Sequence, residues 1–174
     1  MINTLFGWGL ILFAPLVFAY AASSDLFSMR ISNRLALIFL AAFPLFAYGI
    51  GMSWQDGFAH LGVGLLTFVI VYVLWMSKCI GGGDAKFAAV AAVWMGPEFT
   101  ILFFALTSIY GAIMALAFIA MRSRFLPGFM VKMDWVMRLH TVKRIPYGLA
   151  LGAAGLQIYS ISGWMAAGIK LAIS

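Results

Sequence analysis

The chain has 174 residues, of which 65% are hydrophobic and 9% charged, with a mean hydropathy of +1.07. Soluble domains carry about 25% charged residues, so a soluble fold is excluded and an all-α polytopic membrane helix bundle is expected. The length allows one membrane domain over 1–174 and leaves no room for a further soluble domain of the usual ~100–150 residues.

In chain order, the charge-free apolar intervals mark six membrane-spanning helices, at 4–23, 35–52, 58–77, 84–96, 99–121 and 147–169. Ala19 to Ser23 faintly resembles a signal-peptidase site, but no basic residue precedes it, so the first run reads as a retained helix. Pro44 is a candidate kink in the second span. The fourth interval is short: at about 1.5 Å per residue it reaches about 20 Å, against a hydrocarbon core about 30 Å thick. A site sunk into a thinned or water-filled region is therefore expected at its start. Between the fifth and sixth spans, residues 122–146 are too many for a tight turn. Phe129, Met133, Val136 and Met137 recur there at helical spacing among Lys132, Asp134 and Arg138, which fits a helix lying on the membrane surface as well as it fits a solvated loop.

If all six segments cross, Arg30, Arg34, Lys78, Lys86, Arg122, Arg124, Lys132, Arg138, Lys143 and Arg144 share one face, and Lys170 alone lies on the other. Basic loops face the cytoplasm, so both termini are expected outside. The net charge of +6 is accounted for by this asymmetry and calls for no nucleic acid partner. Asp25 and Asp84 then lie at the cytoplasmic face, whereas Asp56 and Glu98 lie at the outer one.

The stretch Gly81-Gly82-Gly83-Asp84-Ala85-Lys86 sets an acid on a glycine run between two apolar segments. An acid there is costly unless it is used. The glycines are expected to adopt backbone conformations closed to other residues, and to let another chain come close. Asp25 is the second acid at the same depth. Two carboxyls a few ångströms apart do not both ionise easily; the charged one can activate water while the protonated one polarises a carbonyl. The plainer alternative is that each aspartate only caps or flanks a helix end. Cys79 is the one cysteine, which rules out an intrachain disulfide and a multi-cysteine zinc site. His60 and His140 fall on opposite faces of this topology, so no metal or other cofactor is expected.

These stretches resemble a family, the type IV prepilin peptidases, which are membrane aspartic proteases of the GxGD class. Gly81, Gly83, Asp84 and Lys86 match its G-x-G-D-x-K stretch; Asp25 to Asn33 resembles D-x4-R-I-P-N, with Ser32 in the proline position; Ile145-Pro146-Tyr147-Gly148-Leu149-Ala150 resembles I-P-[FY]-G-x-A. The resemblance implies removal of a short basic leader from type IV pilin-like precursors at the cytoplasmic membrane face. It implies catalytic roles for Asp25 and Asp84, and prepilin or pseudopilin precursors, the lipid bilayer and the pilus assembly machinery as partners. Longer members carry a paired-cysteine segment and an N-methyltransferase activity. That segment is missing here, so the chain is similar to the short peptidases of tight-adherence (Flp) pili, with no methylation implied.

Gly81, Gly83, Lys86, Arg30 and Asn33 are the supporting candidates. Lys86 is placed to stabilise an ionised Asp84 or to steer an acidic substrate residue, but it and Arg30 also serve as plain cytoplasmic anchors. Asn33 most simply caps the second helix, and Cys79 reads as an ordinary small apolar residue. From another class, a small proton-coupled transporter or channel subunit using the aspartates as a relay competes, as does a non-catalytic assembly factor. A relay is expected to hold acids deeper within its spans and to show an internal repeat, neither of which the sequence has.

Overall fold

The computed structural model describes residues 2–122, 134–141 and 145–173. They form helices α1 (Ile2–Ser28), α2 (Asn33–Gly49), α3 (Trp54–Met76), α4 (Gly82–Arg122), α5 (Asp134–Thr141), α6 (Tyr147–Ser160) and α7 (Gly163–Ile173), with no strand among the described residues. α1, α3 and α4 are long and apolar enough to cross a membrane, and α2 and α7 are shorter apolar helices. The protein is an all-α membrane helix bundle.

At about 1.5 Å per residue, the 41 residues of α4 would reach about 60 Å if straight, twice the thickness of the hydrocarbon core. They do not run straight, because Gly96 has φ 66° and ψ −176°. Trp75 meets Gly82 near the start of α4, while Tyr147 meets Gly111. Trp75, Gly82 and Tyr147 border one cavity, although Gly82 and Gly111 would stand about 40 Å apart on a straight helix. The chain therefore doubles back at Gly96. The expected fourth and fifth spans are its two limbs, 82–95 and 97–122.

This reversal strands backbone carbonyls, and other elements satisfy them. Pro97 has no N–H, so the carbonyl of Val93 loses its helical donor. The imidazole Nδ1 of His60 donates to it at 2.7 Å. The carbonyl of Trp94 takes the indole N–H of Trp164 at 2.7 Å, and the Thr100 hydroxyl donates to Gly96 at 2.6 Å. Buried carbonyls left without donors are costly, so these side chains hold the hairpin closed. His60→Phe, which keeps a ring but removes the donor, is expected to cost about 1–3 kcal/mol. Thermal unfolding in detergent checks this; an unchanged midpoint would mean that another group serves Val93.

The first limb is the centre of the bundle. From Phe87 to Met95 every residue is buried. Its alanines let neighbouring helices close in, and Trp94 closes the far end, stacked on Phe39 at 4.8 Å and donating its indole N–H to the Phe39 carbonyl at 2.9 Å. Being wrapped by protein, a short segment suffices where a lipid-facing helix would need its full length.

α6 and α7 run antiparallel along α1. Gly148 meets Asp25, Gly152 and Gly155 meet Phe18, and Gly168 meets Leu10 and Ile11, while the Tyr159 hydroxyl donates to the Leu10 carbonyl at 2.8 Å. In a membrane such small-residue contacts supply the van der Waals packing that holds helices together. The single last span expected over 147–169 is in fact interrupted at 161–162, where α6 gives way to α7.

α5 supplies part of the surface helix expected over 129–140; residues 129–133 lie outside the described ones. It docks at the end of α1, with Trp135 edge-on to Phe27 at 5.4 Å and Val136 buried. α2 is capped by Ser32, whose hydroxyl accepts from the Arg34 N–H at 3.2 Å. Asn33 is the first helical residue and not the cap, because serine already occupies the capping position that its sequence neighbour was expected to fill.

Candidate active site

Asp25 projects from the last turns of α1 and is 3% exposed. The Gly148 N–H donates to its Oδ2 at 2.7 Å. Pro146 ends the approach to α6 without a capping side chain, so Asp25 provides from α1 an acceptor that α6 lacks locally. The positive end of the α6 dipole faces this carboxylate. A methyl group on Gly148 would stand 2.7 Å from Asp25 Cβ and from Ile31 Cδ1, so only glycine lets α6 come this close.

Asp84 occupies the first turn of α4 and is half-buried. The Gly81 N–H is directed at its carboxylate, as the N–H before a helix is directed at the acid of a capping box. Asp25 is close enough for its charge to act on Asp84. Both aspartates line one cavity of about 570 Å³, bordered also by Met29, Trp75, the Lys78–Gly82 segment and the Ile145–Tyr147 segment. The end of α1 and the start of α4 thus bring two carboxylates to one hollow, and each accepts an N–H from the start of a helix.

The backbone around the cavity is tightly folded. α3 ends in a turn in which Lys78 N–H bonds to the Trp75 carbonyl at 2.9 Å and Cys79 N–H to that of Leu74 at 3.0 Å, with Lys78 at φ 60°. Met29, just after α1, has φ 52°. These non-glycine residues in the left-handed region both border the cavity. Gly81, Gly82 and Gly83, by contrast, do not have positive φ, so the expectation of special backbone angles in the run is corrected. The close-approach half of that expectation describes Gly83: a methyl group there would stand 3.1 Å from the Ile31 carbonyl oxygen.

The other candidates separate. Gly81 borders the cavity, and Gly83 packs beneath it on Ile31. Arg30 is exposed, and its carbonyl accepts from the Ser24 hydroxyl at 2.9 Å, which fixes the turn after α1. Lys86 donates to Asn33 Oδ1 at 3.1 Å, and both line a different hollow from the one holding Asp84. Residues two apart on a helix do not face one another, which is why Lys86 turns away from the acid it follows. Gly148, Tyr147, Trp75 and Met29 were not singled out as site residues from sequence. The first two lie in the I-P-Y-G stretch, which carried the signal; Trp75 and Met29 had none. Cys79 is exposed at the cavity and not a packed apolar residue.

A family model for the type IV leader peptidase family matches residues 12–116. The chain belongs to the type IV leader peptidase family. Both aspartates and the glycine run fall inside the matched stretch, whereas Gly148, which holds Asp25, lies beyond it. Comparison with curated proteins and with solved structures returned no significant match. As a type IV leader peptidase the chain is a membrane peptidase whose family processes prepilin-type substrates.

Proposed function

We propose that this leader peptidase is an aspartic endopeptidase that cuts the short leader from type IV pilin-like, Flp-type precursors at the cytoplasmic face of the bacterial inner membrane, with Asp25 and Asp84 as its catalytic pair. The observation that carries this reading is the meeting of the two carboxylates in one cavity, each held at a helix N-terminus. Six crossings with both termini outside put that cavity on the basic, cytoplasmic side, in keeping with the charge asymmetry of the loops.

One carboxylate takes a proton from water as the water oxygen bonds to the scissile carbonyl carbon. The other, protonated, donates its hydrogen to the carbonyl oxygen. The resulting gem-diol collapses as the C–N bond breaks, and the leaving nitrogen takes a proton from the pair, leaving a new carboxyl and a free amine. The cavity is lined by both carboxylates and by the backbone of the Lys78–Gly82 segment, and the exposed Gly81 edge leaves room for the extended peptide that such an attack requires.

The test is co-expression with an epitope-tagged Flp-type precursor, reading leader loss on a gel and the new N-terminus by mass spectrometry. An uncut precursor in cells with normal amounts of the wild-type protein would sink the proposal. Gly148→Ala is expected to slow cleavage by about 10–100-fold, because the added methyl displaces the Asp25 carboxylate, and shifts of about 1 Å cost on the order of 10²-fold. Its amount in the membrane, measured by immunoblot, is expected to fall far less; parallel losses would make Gly148 a packing residue only.

A further inference from the structure

Two hollows of about 530 and 560 Å³ meet at Leu40 and Leu61. Together they form a groove between α2 and α3, floored by the first limb of α4 over its aspartate half. α2 and α3 each pack on α4 and barely on one another. The groove starts at Asn33 and Lys86, at the aspartate end, and finishes at Gly51 and Trp54 at the other. Its length is that of α2, about 25 Å for 17 residues, close to the thickness of the hydrocarbon core. Its walls are apolar, and Lys86 is the single charged residue among those lining it.

We propose that this groove docks the transmembrane helix of the precursor, with Lys86 pairing an acidic side chain in the first turn of that helix; the proposal rests on the leader-peptidase reading above. A lipid acyl chain reaches through one leaflet, about half the hydrocarbon core, whereas the groove is about as long as α2 and carries its one charge at the aspartate end, which favours a membrane-spanning occupant. Gly57 leaves open space in the groove wall toward the far end, where a helix can come close, whereas Ala36, Ala47, Gly64 and Ala89 are buried, with Val93 filling the space at Gly64. The cut precursor has its N-terminus on the side of the cavity, so its helix begins beside Lys86. A helix start favours acidic residues, and an acid there complements both its own helix and the lysine. Asp84 lies two residues before Lys86 and on the other side of the limb. The chain preceding the docked helix therefore crosses the exposed start of α4 at Gly81, where no side chain obstructs it, and enters the cavity extended.

The test uses the full-length protein with Cys79→Ser, and with Asp84→Asn to keep the precursor uncut. Single cysteines are placed in the groove at Leu40 or Leu65, or on the exposed second limb of α4 at Ile113 or Leu116. An Flp-type precursor carries single cysteines along its apolar helix, and a short bis-maleimide joins the two in membranes. Crosslinks are expected from Leu40 and Leu65, recurring every three or four precursor positions, and not from Ile113 or Leu116. In an otherwise wild-type peptidase, Lys86→Glu is expected to slow cleavage of a precursor with glutamate in its first helical turn roughly tenfold, equivalent to about 1.4 kcal/mol. Exchanging that glutamate for lysine is expected to restore it. Crosslinks from the second limb alone, crosslinks only between peptidase copies, none at all, or indifference to Lys86→Glu would each overturn the docking site. Cleavage by the wild-type protein is scored in parallel: a precursor that is cut but never crosslinks to the groove removes the docking site alone, whereas one that is never cut removes both.

Discussion

Asp25→Asn and Asp84→Asn are each expected to lower leader cleavage by about 10²–10⁴-fold while leaving the amount of protein in the membrane unchanged. Asparagine has nearly the shape of aspartate, and its side-chain carbonyl can still accept the Gly148 N–H at position 25 or the Gly81 N–H at position 84. The helix ends therefore stay capped and the bundle stays closed. What asparagine cannot do is exchange a proton with water or with a carbonyl oxygen, and the mechanism requires that of both groups. Because they act as one unit, the double variant is expected to be no slower than the worse single one. Initial rates of leader loss for the four proteins, normalised to membrane protein, check this. Normal cleavage by either single variant would remove the paired-aspartate mechanism and bring the relay reading forward.

The two aspartates were legible in the sequence because charge is scarce in this chain: an acid beside an apolar run has to be accounted for, and the basic loops say which acids share a face. The helical class was legible for the same reason, since apolar runs of membrane length admit little else. Neither signal reports on partners across the bundle. That Gly148 holds Asp25, or that Trp164 and His60 serve the carbonyls around Gly96, depends on contacts between helices far apart in sequence. The I-P-Y-G stretch could be matched as a pattern, but its physical reason, a backbone N–H offered at a helix start, appears only with α1 beside it. For Lys86 the sequence leaves open a partner for Asp84, a guide for an acidic substrate residue and a plain cytoplasmic anchor, and the helical period sends it to the side of the limb away from Asp84. The last span was expected to be unbroken because hydropathy reads composition, and an apolar turn at 161–162 has the composition of a helix.

Gly96→Ala is expected to be the most damaging single methyl group added to this protein, on the order of 4 kcal/mol or more. At φ 66° and ψ −176° the backbone occupies a region that is essentially glycine's alone, and forcing another residue there costs about 1–3 kcal/mol. The new Cβ would also stand 2.4 Å from the His60 ring, so the ring must move. That ring donates to the carbonyl of Val93, which Pro97 has already deprived of its helical donor, and moving it adds about 1–3 kcal/mol for an unpaired buried carbonyl. Backbone, packing and hydrogen-bond costs therefore fall on one residue. The reversal at Gly96 also fixes the two limbs of α4 beside each other, and the first limb carries Asp84 while the second supports Tyr147 at the cavity edge. Loss of the folded protein, read as depleted membrane levels and a lowered unfolding midpoint in detergent, should accordingly come with loss of cleavage. His60→Gly combined with Gly96→Ala separates the terms: it removes the clash but leaves the backbone strain and the orphaned carbonyl, so only part of the stability should return. Full recovery would mean that the ring contact alone made Gly96 indispensable, and that the backbone angles cost the alanine variant nothing.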